Sequence, residues 1–319
     1  MFLFPTKQVN VEFYLDKLKH NIISSAPFNF RQNINYAERI LGFLHEYTEK
    51  RKGELHPIKL GHLKEIRTNL INFIDALMKK DKNEVLFVKL RVAFENYASS
   101  GSVYLLRHPD KFKVEGKALT PGKGRALSSL GVKQAKEFAE MIKEEILVSP
   151  KPVKVIIRTS EVNRTHLFAN IIKQINKAHK LDNKKIEVSQ AEDKRIFIGP
   201  VSENAWQLVE LAVKKHGRKG ELFGFKDWVR REGEFGEEIK KKGIVDPQKV
   251  RNDIHDFVKS SLIEIKDPTH YTLVLGISHS WMLDTFLYKY FGIEEIISTA
   301  EYAKAEYDSI YYKGRWMKL

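Results

Sequence analysis

Two histidines and three arginines lie at or just beyond the ends of short apolar runs in this chain. With a serine among them, the residues are Arg107, His108, Arg158, Ser160, Arg164 and His279. An arginine guanidinium keeps its charge and presents a planar fork of N–H donors that fits phosphate oxygens. A histidine with one neutral ring nitrogen can act as a nucleophile. These residue types together suit the transfer of a phosphoryl group.

The apolar runs have the length of strands and alternate with segments of helical periodicity. The strand-like runs are Val103–Leu106, Val153–Ile157, Ile186–Val188 and Tyr271–Ile277, and the helical segments are 127–146, 161–179 and 281–290. Such alternation predicts an α/β fold with a mainly parallel sheet and helices on both faces. The carboxyl ends of parallel strands share one edge of the sheet, where active sites lie. We therefore expect the histidines and arginines to converge there.

The first hundred residues have a different pattern. Apolar residues recur at helical spacing over 33–52, 66–77 and 84–97, and Ser99-Ser-Gly-Ser102 then forms a cluster of turn residues. This predicts an all-helical N-terminal region, 1–100, of unknown role, followed by a second domain, 101–319. Amphipathic faces need a partner surface, so these helices should pack on the second domain or pair with a second chain as a homo-oligomer.

Composition indicates a globular protein without thiol chemistry. Hydrophobic residues make up 42% of the 319 residues, and there is no cysteine. Disulfides, thiolate metal sites and a cysteine nucleophile are thereby excluded. The N-terminus, Met1–Lys7, lacks the basic start and the apolar length of a signal peptide. No apolar run is long enough to span a membrane. We expect a cytoplasmic protein with no membrane partner.

The net charge of +14 is spread along the chain. Lys and Arg exceed Asp and Glu by 5 up to Gly101 and by 9 over the rest. This distribution is typical of a solvated, lysine-rich surface, and it is too scattered for a nucleic-acid footprint. It is also compatible with a small phosphorylated substrate, which positive charge would attract.

Four motifs occur in a fixed order after residue 102. They read Leu106-Arg107-His108-Pro109, Leu127-Ser-Ser-Leu-Gly131-Val-Lys-Gln134-Ala135, Ser160-Glu-Val-Asn-Arg164-Thr-His-Leu-Phe-Ala169 and Ile277-Ser-His279-Ser280. In this order they resemble the motifs of the histidine phosphatase (phosphoglycerate mutase-like) superfamily. Three positions depart from the family pattern, because Pro109 and Ser280 replace small residues and Phe168 replaces a threonine. None of these changes removes a charged catalytic group.

The resemblance implies a role for each candidate residue. His108 would be the nucleophile, and Arg107, Arg164 and a charged His279 would hold the phosphate. The general acid would follow the third strand, where we choose Glu192 and keep Asp193 as the alternative. Further candidates for the site are Arg158, Ser160 and Lys111, the last to steer an anionic substrate. Since arginines supply the positive charge, we expect no metal and no cofactor.

The resemblance also implies a domain with an insertion. Residues 101–319 would form the histidine phosphatase domain, and a cap at about 196–266 would cover its site. The reaction implied is hydrolysis of a phosphate monoester through a phosphohistidine. Two other functions stay open at this point: a phosphoglycerate-type phosphomutase, and a non-catalytic protein that binds a phosphorylated ligand or serves as a scaffold.

Overall fold

The computed structural model describes residues 9–24, 27–111, 126–178, 185–196, 213–214, 217, 220–230, 237, 241 and 246–319. Four helices come first: α1 (Val11–Ile23), α2 (Phe30–Arg51), α3 (Pro57–Met78) and α4 (Glu84–Tyr97). Asparagines begin three of them, since Asn29, for example, accepts a hydrogen bond from the Gln32 amide at 3.0 Å. Such a cap satisfies an N–H group that has no partner within the helix. The predicted helical region is confirmed.

Strands and helices alternate through the rest of the chain. In chain order they are β1 (Ser102–Arg107), α5 (Ser129–Val148), β2 (Val153–Thr159), α6 (Asn163–Ala178), β3 (Ile186–Glu192), a 3₁₀ turn (Lys194–Ile196), α7 (Gly220–Arg230), α8 (Pro247–Glu264), β4 (Tyr271–Ser278), α9 (Ser280–Phe291), β5 (Tyr302–Glu306), β6 (Ser309–Tyr312) and β7 (Arg315–Lys318). The two described helices between β3 and β4, α7 and α8, fall in the predicted insertion 196–266. Most of the remainder of that insertion lies outside the described residues.

One seven-stranded sheet runs in the order β3-β2-β4-β1-β5-β6-β7. The first four strands of this order are mutually parallel. The last three pair antiparallel and extend the sheet at its far edge. The predicted α/β class with a parallel core is confirmed. The short antiparallel strands β5, β6 and β7 were not predicted, because four or five residues are too few for a clear alternating pattern.

Helices cover both faces of the sheet, and the alternation of side chains along β1 shows how. Val103 and Leu105 pack on one face against α7, α8 and α9. Tyr104 and Leu106 pack on the other face against α5 and α6. Successive strand residues point to opposite faces, so a strand buried on both sides must be apolar throughout. This explains why the strand sequences read as continuous apolar runs.

The N-terminal helices pack on the sheet-containing part of the chain. Their core includes Leu147 and Val148 from the end of α5. A second contact is polar and fully buried: Lys59 on α3 donates to Glu306 of β5 at 2.8 Å and to the Tyr271 hydroxyl of β4 at 2.8 Å. The helices thus share a core and a buried ion pair with the α/β part. The division into two domains at residue 100 stays a prediction.

Candidate active site

His108 follows directly after β1 and is held against its neighbours. Its backbone N–H donates to the Ser278 carbonyl of β4 at 2.9 Å. The side chain is only 3% exposed, and its Nδ1 lies 2.8 Å from the Pro109 carbonyl oxygen. A carbonyl can only accept, so Nδ1 carries the proton and Nε2 carries the lone pair.

The electrostatic surroundings keep the His108 ring neutral. Burial lowers its pKa well below the ordinary value of 6.5, and the charge of Arg164 lowers it further. Arg107 acts in the same direction, while the hydrogen bond to Pro109 opposes the shift. Burial penalises the charged form of a base, and neighbouring cations add to that penalty. His108 therefore presents a neutral imidazole at physiological pH.

His279 begins α9 and lies close to His108, with ring centroids 5.1 Å apart. Its Nδ1 lies 3.0 Å from Nη2 of Arg164, and its Nε2 lies 2.9 Å from the Ser160 hydroxyl. A guanidinium can only donate, so Nδ1 accepts from Arg164 and the proton is on Nε2, which donates to Ser160.

The charge expected for His279 is therefore absent from this arrangement. Burial lowers the pKa of His279 well below 6.5, and Arg164, Lys111 and Arg107 lower it further. A second proton on Nδ1 would point at the Arg164 guanidinium. The sequence could not give the protonation state of His279, because that state depends on partners from other elements.

Arg164 is positioned by the turn between β2 and α6. The Ser160 amide donates to the Ile277 carbonyl of β4 at 3.3 Å. The Thr165 hydroxyl donates to the carbonyls of Val162 and Ser160 at 2.7 and 2.9 Å. These contacts fix the start of α6 and with it the backbone of Arg164. Thr165 was not predicted as part of the site, although its place next to Arg164 in the motif was a signal for it.

Arg107 and Lys111 bring further positive charge to the same edge. Arg107 ends β1, and its guanidinium donates to the Ile297 carbonyl. Its charge lowers the pKa of both His108 and His279. Lys111 lies near enough to act on the pKa of His279 as well. The structure thus places three cations around two neutral imidazoles, at the carboxyl ends of β1, β2 and β4.

The carboxylates chosen as general acid lie elsewhere along the edge. Glu192 ends β3, is 59% exposed and pairs with His166 at 3.2 Å. Strand β3 is three strand spacings from β1, which is about 14 Å. Asp193 forms an ion pair with Arg195 at 2.6 Å and is 10% exposed. In this structure neither carboxylate is in contact with His108.

Asp193 is held in its ionised form by Arg195. Although burial acts to raise the pKa of Asp193, its hydrogen bonds from Arg195 lower it, so it is held as a carboxylate. A group held ionised is a poor proton donor.

Arg158 pairs with Glu264 on α8 at 3.4 Å. Asp193 and Arg158 thus have structural partners on the flank formed by β2, β3 and α8.

Gly131 is a site residue whose role appears only in three dimensions. It lies in the first turn of α5, which packs against the loop after His108. A Cβ atom at this position would lie 2.0 Å from the Asp110 carbonyl oxygen. Only glycine permits this approach of two backbones. The glycine of the second motif therefore supports the loop that carries His108.

The described residues contain neither a membrane-spanning helix nor a cluster of metal ligands. None of the helices in the described ranges is long and apolar enough to cross a membrane. Within the same part of the chain, no three His, Asp or Glu side chains are grouped to hold a metal ion.

Fold and site together define an α/β protein with a histidine-centred cluster of cations at the carboxyl edge of a parallel sheet. No protein-family model and no curated protein matches the chain. Solved structures that match the chain include phosphatases, a phosphoglycerate mutase and mycobacterial hydrolases.

Three of these matches illustrate the level of similarity. Mycobacterial glucosyl-3-phosphoglycerate phosphatase is 15% identical with a TM-score of 0.41, and 64% of this chain and 89% of that chain are covered. Phosphoglycerate mutase from Bacillus anthracis is 16% identical with a TM-score of 0.43, at 70% and 93% coverage. Mycobacterial hydrolase 2 is 14% identical with a TM-score of 0.43, at 64% and 81% coverage.

Proposed function

We propose that this chain is a phosphatase that hydrolyses a small phosphate monoester through a phosphohistidine on His108. The observation that carries this proposal is the state of the His108 imidazole. It is buried, it is neutral, and its Nδ1 proton is committed to the Pro109 carbonyl. Nε2 is then the nitrogen that can attack phosphorus.

The phosphate would be held by Arg107, Arg164 and His279, which we call the anion pocket. Charge on the transferred phosphoryl oxygens needs positioned positive groups, and the charges of Arg107 and Arg164 already act on the pKa of His108. A bound anion would compete with His279 for Arg164 and with Ser160 for the Nε2 proton. Its negative charge would also raise the pKa of His279, so protonation of His279 would accompany substrate binding.

The reaction would proceed in two steps. In the first, the Nε2 lone pair forms a bond to phosphorus, the bond to the leaving oxygen breaks, and the general acid protonates that oxygen. In the second, a water oxygen attacks phosphorus and gives a proton to the general acid, now a carboxylate, the N–P bond breaks, and inorganic phosphate leaves with His108 and the acid restored. The Nδ1 proton stays in place throughout, because the Pro109 carbonyl accepts it in every state.

Glu192 is the proposed general acid. To serve in this role its carboxyl group must leave His166 and turn towards the anion pocket when substrate binds. Its side chain is 59% exposed and contacts His166 at 3.2 Å, so this movement has little cost. Asp193 is tied to Arg195 by three hydrogen bonds from the backbone and side chain, which makes it the weaker candidate.

The nucleophile is tested with a nitrophenyl phosphate as substrate. We expect His108→Ala to abolish turnover and leave the fold intact, and we expect His45→Ala, at an exposed position on α2, to retain it. Rapid quenching of the wild-type protein should trap an acid-labile, base-stable phosphohistidine that His108→Ala lacks. Wild-type turnover by His108→Ala would exclude the proposed role.

The anion pocket is tested by crystallography. Crystals soaked in vanadate or phosphate should show the anion within hydrogen-bond distance of Arg107, Arg164 and His279. An anion bound elsewhere, with these three side chains turned away from one another, would contradict the proposed pocket.

The general acid is tested through the leaving group. A good leaving group departs without a proton, whereas an alkyl alcohol needs one. Glu192→Gln should therefore lower turnover of an alkyl phosphate by about 10²-fold or more, and that of nitrophenyl phosphate far less. Asp193→Asn is the matched variant and should change neither rate much. The reverse pattern would assign the acid to Asp193.

A further inference from the structure

The peptide bond between Pro109 and Asp110 is held from both sides. Its carbonyl oxygen lies 2.8 Å from Nδ1 of His108. Its N–H donates to Oε1 of Gln134, on α5, at 2.9 Å. A trans peptide is planar, and its C=O and N–H point in opposite directions. A fixed acceptor for the N–H therefore fixes the direction in which the carbonyl points.

The orientation of the Gln134 amide is itself determined by its partners. The peptide N–H can only donate, so Oε1 must face it. Nε2 then faces Thr299 and lies 3.2 Å from its hydroxyl and 3.4 Å from its carbonyl oxygen. The Gln134 side chain thus joins the loop after His108 to the segment that leads into β5.

Asp110 is anchored by two more hydrogen bonds. The Ser128 amide donates to the Asp110 carbonyl at 3.1 Å, and the Ser128 hydroxyl donates to the Asp110 carboxylate at 2.7 Å. The proline ring fixes φ at residue 109 and removes its N–H. Pro109, a departure from the family pattern, thus reduces the freedom of the loop that must present the carbonyl to His108.

We propose that Gln134 is a positioning residue for His108, acting through the Pro109–Asp110 peptide to hold the proton on Nδ1 and aim Nε2 at the substrate. The assignment rests on the proposed function, because it gives Gln134 a role in the attack by Nε2. Without the Gln134 acceptor the peptide N–H is left unpaired, and rotation of the peptide would turn its N–H towards Nδ1. The proton would then move to Nε2, and that tautomer cannot attack phosphorus.

The hydrogen bond to Gln134 also bears on the phosphorylated state. Positive charge develops on the imidazole as Nε2 bonds to phosphorus, and the Nδ1 proton transmits it to the Pro109 carbonyl. A peptide whose N–H is already hydrogen-bonded is a stronger acceptor at its carbonyl. Gln134 should therefore favour the phosphohistidine as well as the reactive tautomer.

Three variants separate this role from a structural one. Gln134→Met removes the acceptor at similar volume, Gln134→Glu keeps an acceptor oxygen, and Thr299→Val removes only the hydroxyl at the far end. We expect Gln134→Met to lower kcat by about 10- to 100-fold with little change in KM, the scale of a small misplacement of a reacting group. Gln134→Glu should recover most of kcat and move the acidic limb of the pH–rate profile upwards, since the new negative charge raises the pKa of His108. Thr299→Val should stay within about threefold of wild type.

The decisive readout does not depend on turnover. Nitrogen NMR of histidine-labelled protein reports the His108 tautomer in the absence of substrate. The wild type should show the proton on Nδ1, and Gln134→Met should shift the population towards Nε2. If the wild type fails to hydrolyse any phosphate ester, the proposed function is wrong, yet the tautomer shift still tests Gln134.

Two results would overturn the inference. One is a Gln134→Met variant with the wild-type tautomer and the wild-type kcat. The other applies if Gln134→Met does not fold: a Gln134→Glu variant whose His108 titrates as in the wild type would show that residue 134 has no influence on the ring.

Discussion

Replacement of Lys59 by methionine should destabilise the protein far more than the same replacement of a surface lysine. Lys59 is fully buried, and its ammonium group donates to Glu306 at 2.8 Å, Tyr271 at 2.8 Å and Ser102 at 3.0 Å. Burial lowers the pKa of Lys59, and the carboxylates of Glu306 and Glu145 counter that shift. Methionine matches the stem of lysine in length but removes the charge.

The loss of stability can be estimated from the buried charges that remain after Lys59 is replaced. Two buried carboxylates, Glu145 and Glu306, would then face Lys304, whose ammonium lies 3.7 and 2.7 Å from them. Removing one partner of a buried ion pair costs about 3–5 kcal/mol of stability, because the remaining charge is uncompensated. At roughly 2 °C per kcal/mol for a chain of this size, the melting temperature should fall by about 6–10 °C.

Urea unfolding, monitored by circular dichroism, measures the free energy of unfolding of the wild type and of the variant. The matched control is Lys50→Met on α2, where the lysine is 64% exposed and pairs with Glu144. That exposed pair should contribute only about 0.2–1 kcal/mol. A second variant, Lys59→Met combined with Glu306→Gln, removes both charges and should cost less than the sum of its parts. The reasoning is refuted if Lys59→Met costs no more than Lys50→Met.

Three more predictions concern the loop at the site and the effect of pH. Because the pKa of His108 is lowered in the free protein, the acidic limb of the kcat/KM profile should lie below pH 6.5, as a pH–rate series would show. Gly131→Ala should cost about 1–3 kcal/mol of stability and reduce kcat, since its Cβ would meet a carbonyl at 2.0 Å. The control Gly42→Ala, with open space around its Cβ, should stabilise α2 by about 0.5–1 kcal/mol in the same unfolding assay. Burial acts to raise the pKa of Glu145, but two buried lysines and Arg51 hold it below 4.5. The stability that Glu145 contributes is therefore present above pH 4.5 and lost as pH falls below it, which unfolding midpoints measured between about pH 5 and 2 would reveal.

The buried ion pairs also bear on the role of the first hundred residues. Lys59 lies on α3, while Glu306 is 247 positions later, on β5. A charge buried in this way has no adequate partner once the two regions separate. We therefore expect the N-terminal helices to unfold together with the α/β part, in a single transition. Two resolved transitions in the urea curve would contradict this.

Most of the helices and the parallel strands could be predicted from the sequence, whereas α1 was not predicted. Apolar runs and helical periodicity are local patterns, and they located β1, β2, β4 and α5 to within a few residues. The convergence of His108, Arg164 and His279 followed from one rule, since the carboxyl ends of parallel strands share an edge. This rule requires only the order of strands and helices along the chain, and that order can be predicted from the sequence.

The tertiary structure decided what depends on partners distant in sequence. Glu192 pairs with His166 because of where β3 lies in the sheet, and no local pattern encodes that strand order. The neutral state of His279 follows from its contact with Arg164, 115 positions earlier. Hydrogen-bond direction, burial and pKa are properties of an assembled environment, whereas periodicity is a property of a segment. For this reason the sequence determined which residues gather at the edge, and only the fold determined the proton that each of them carries.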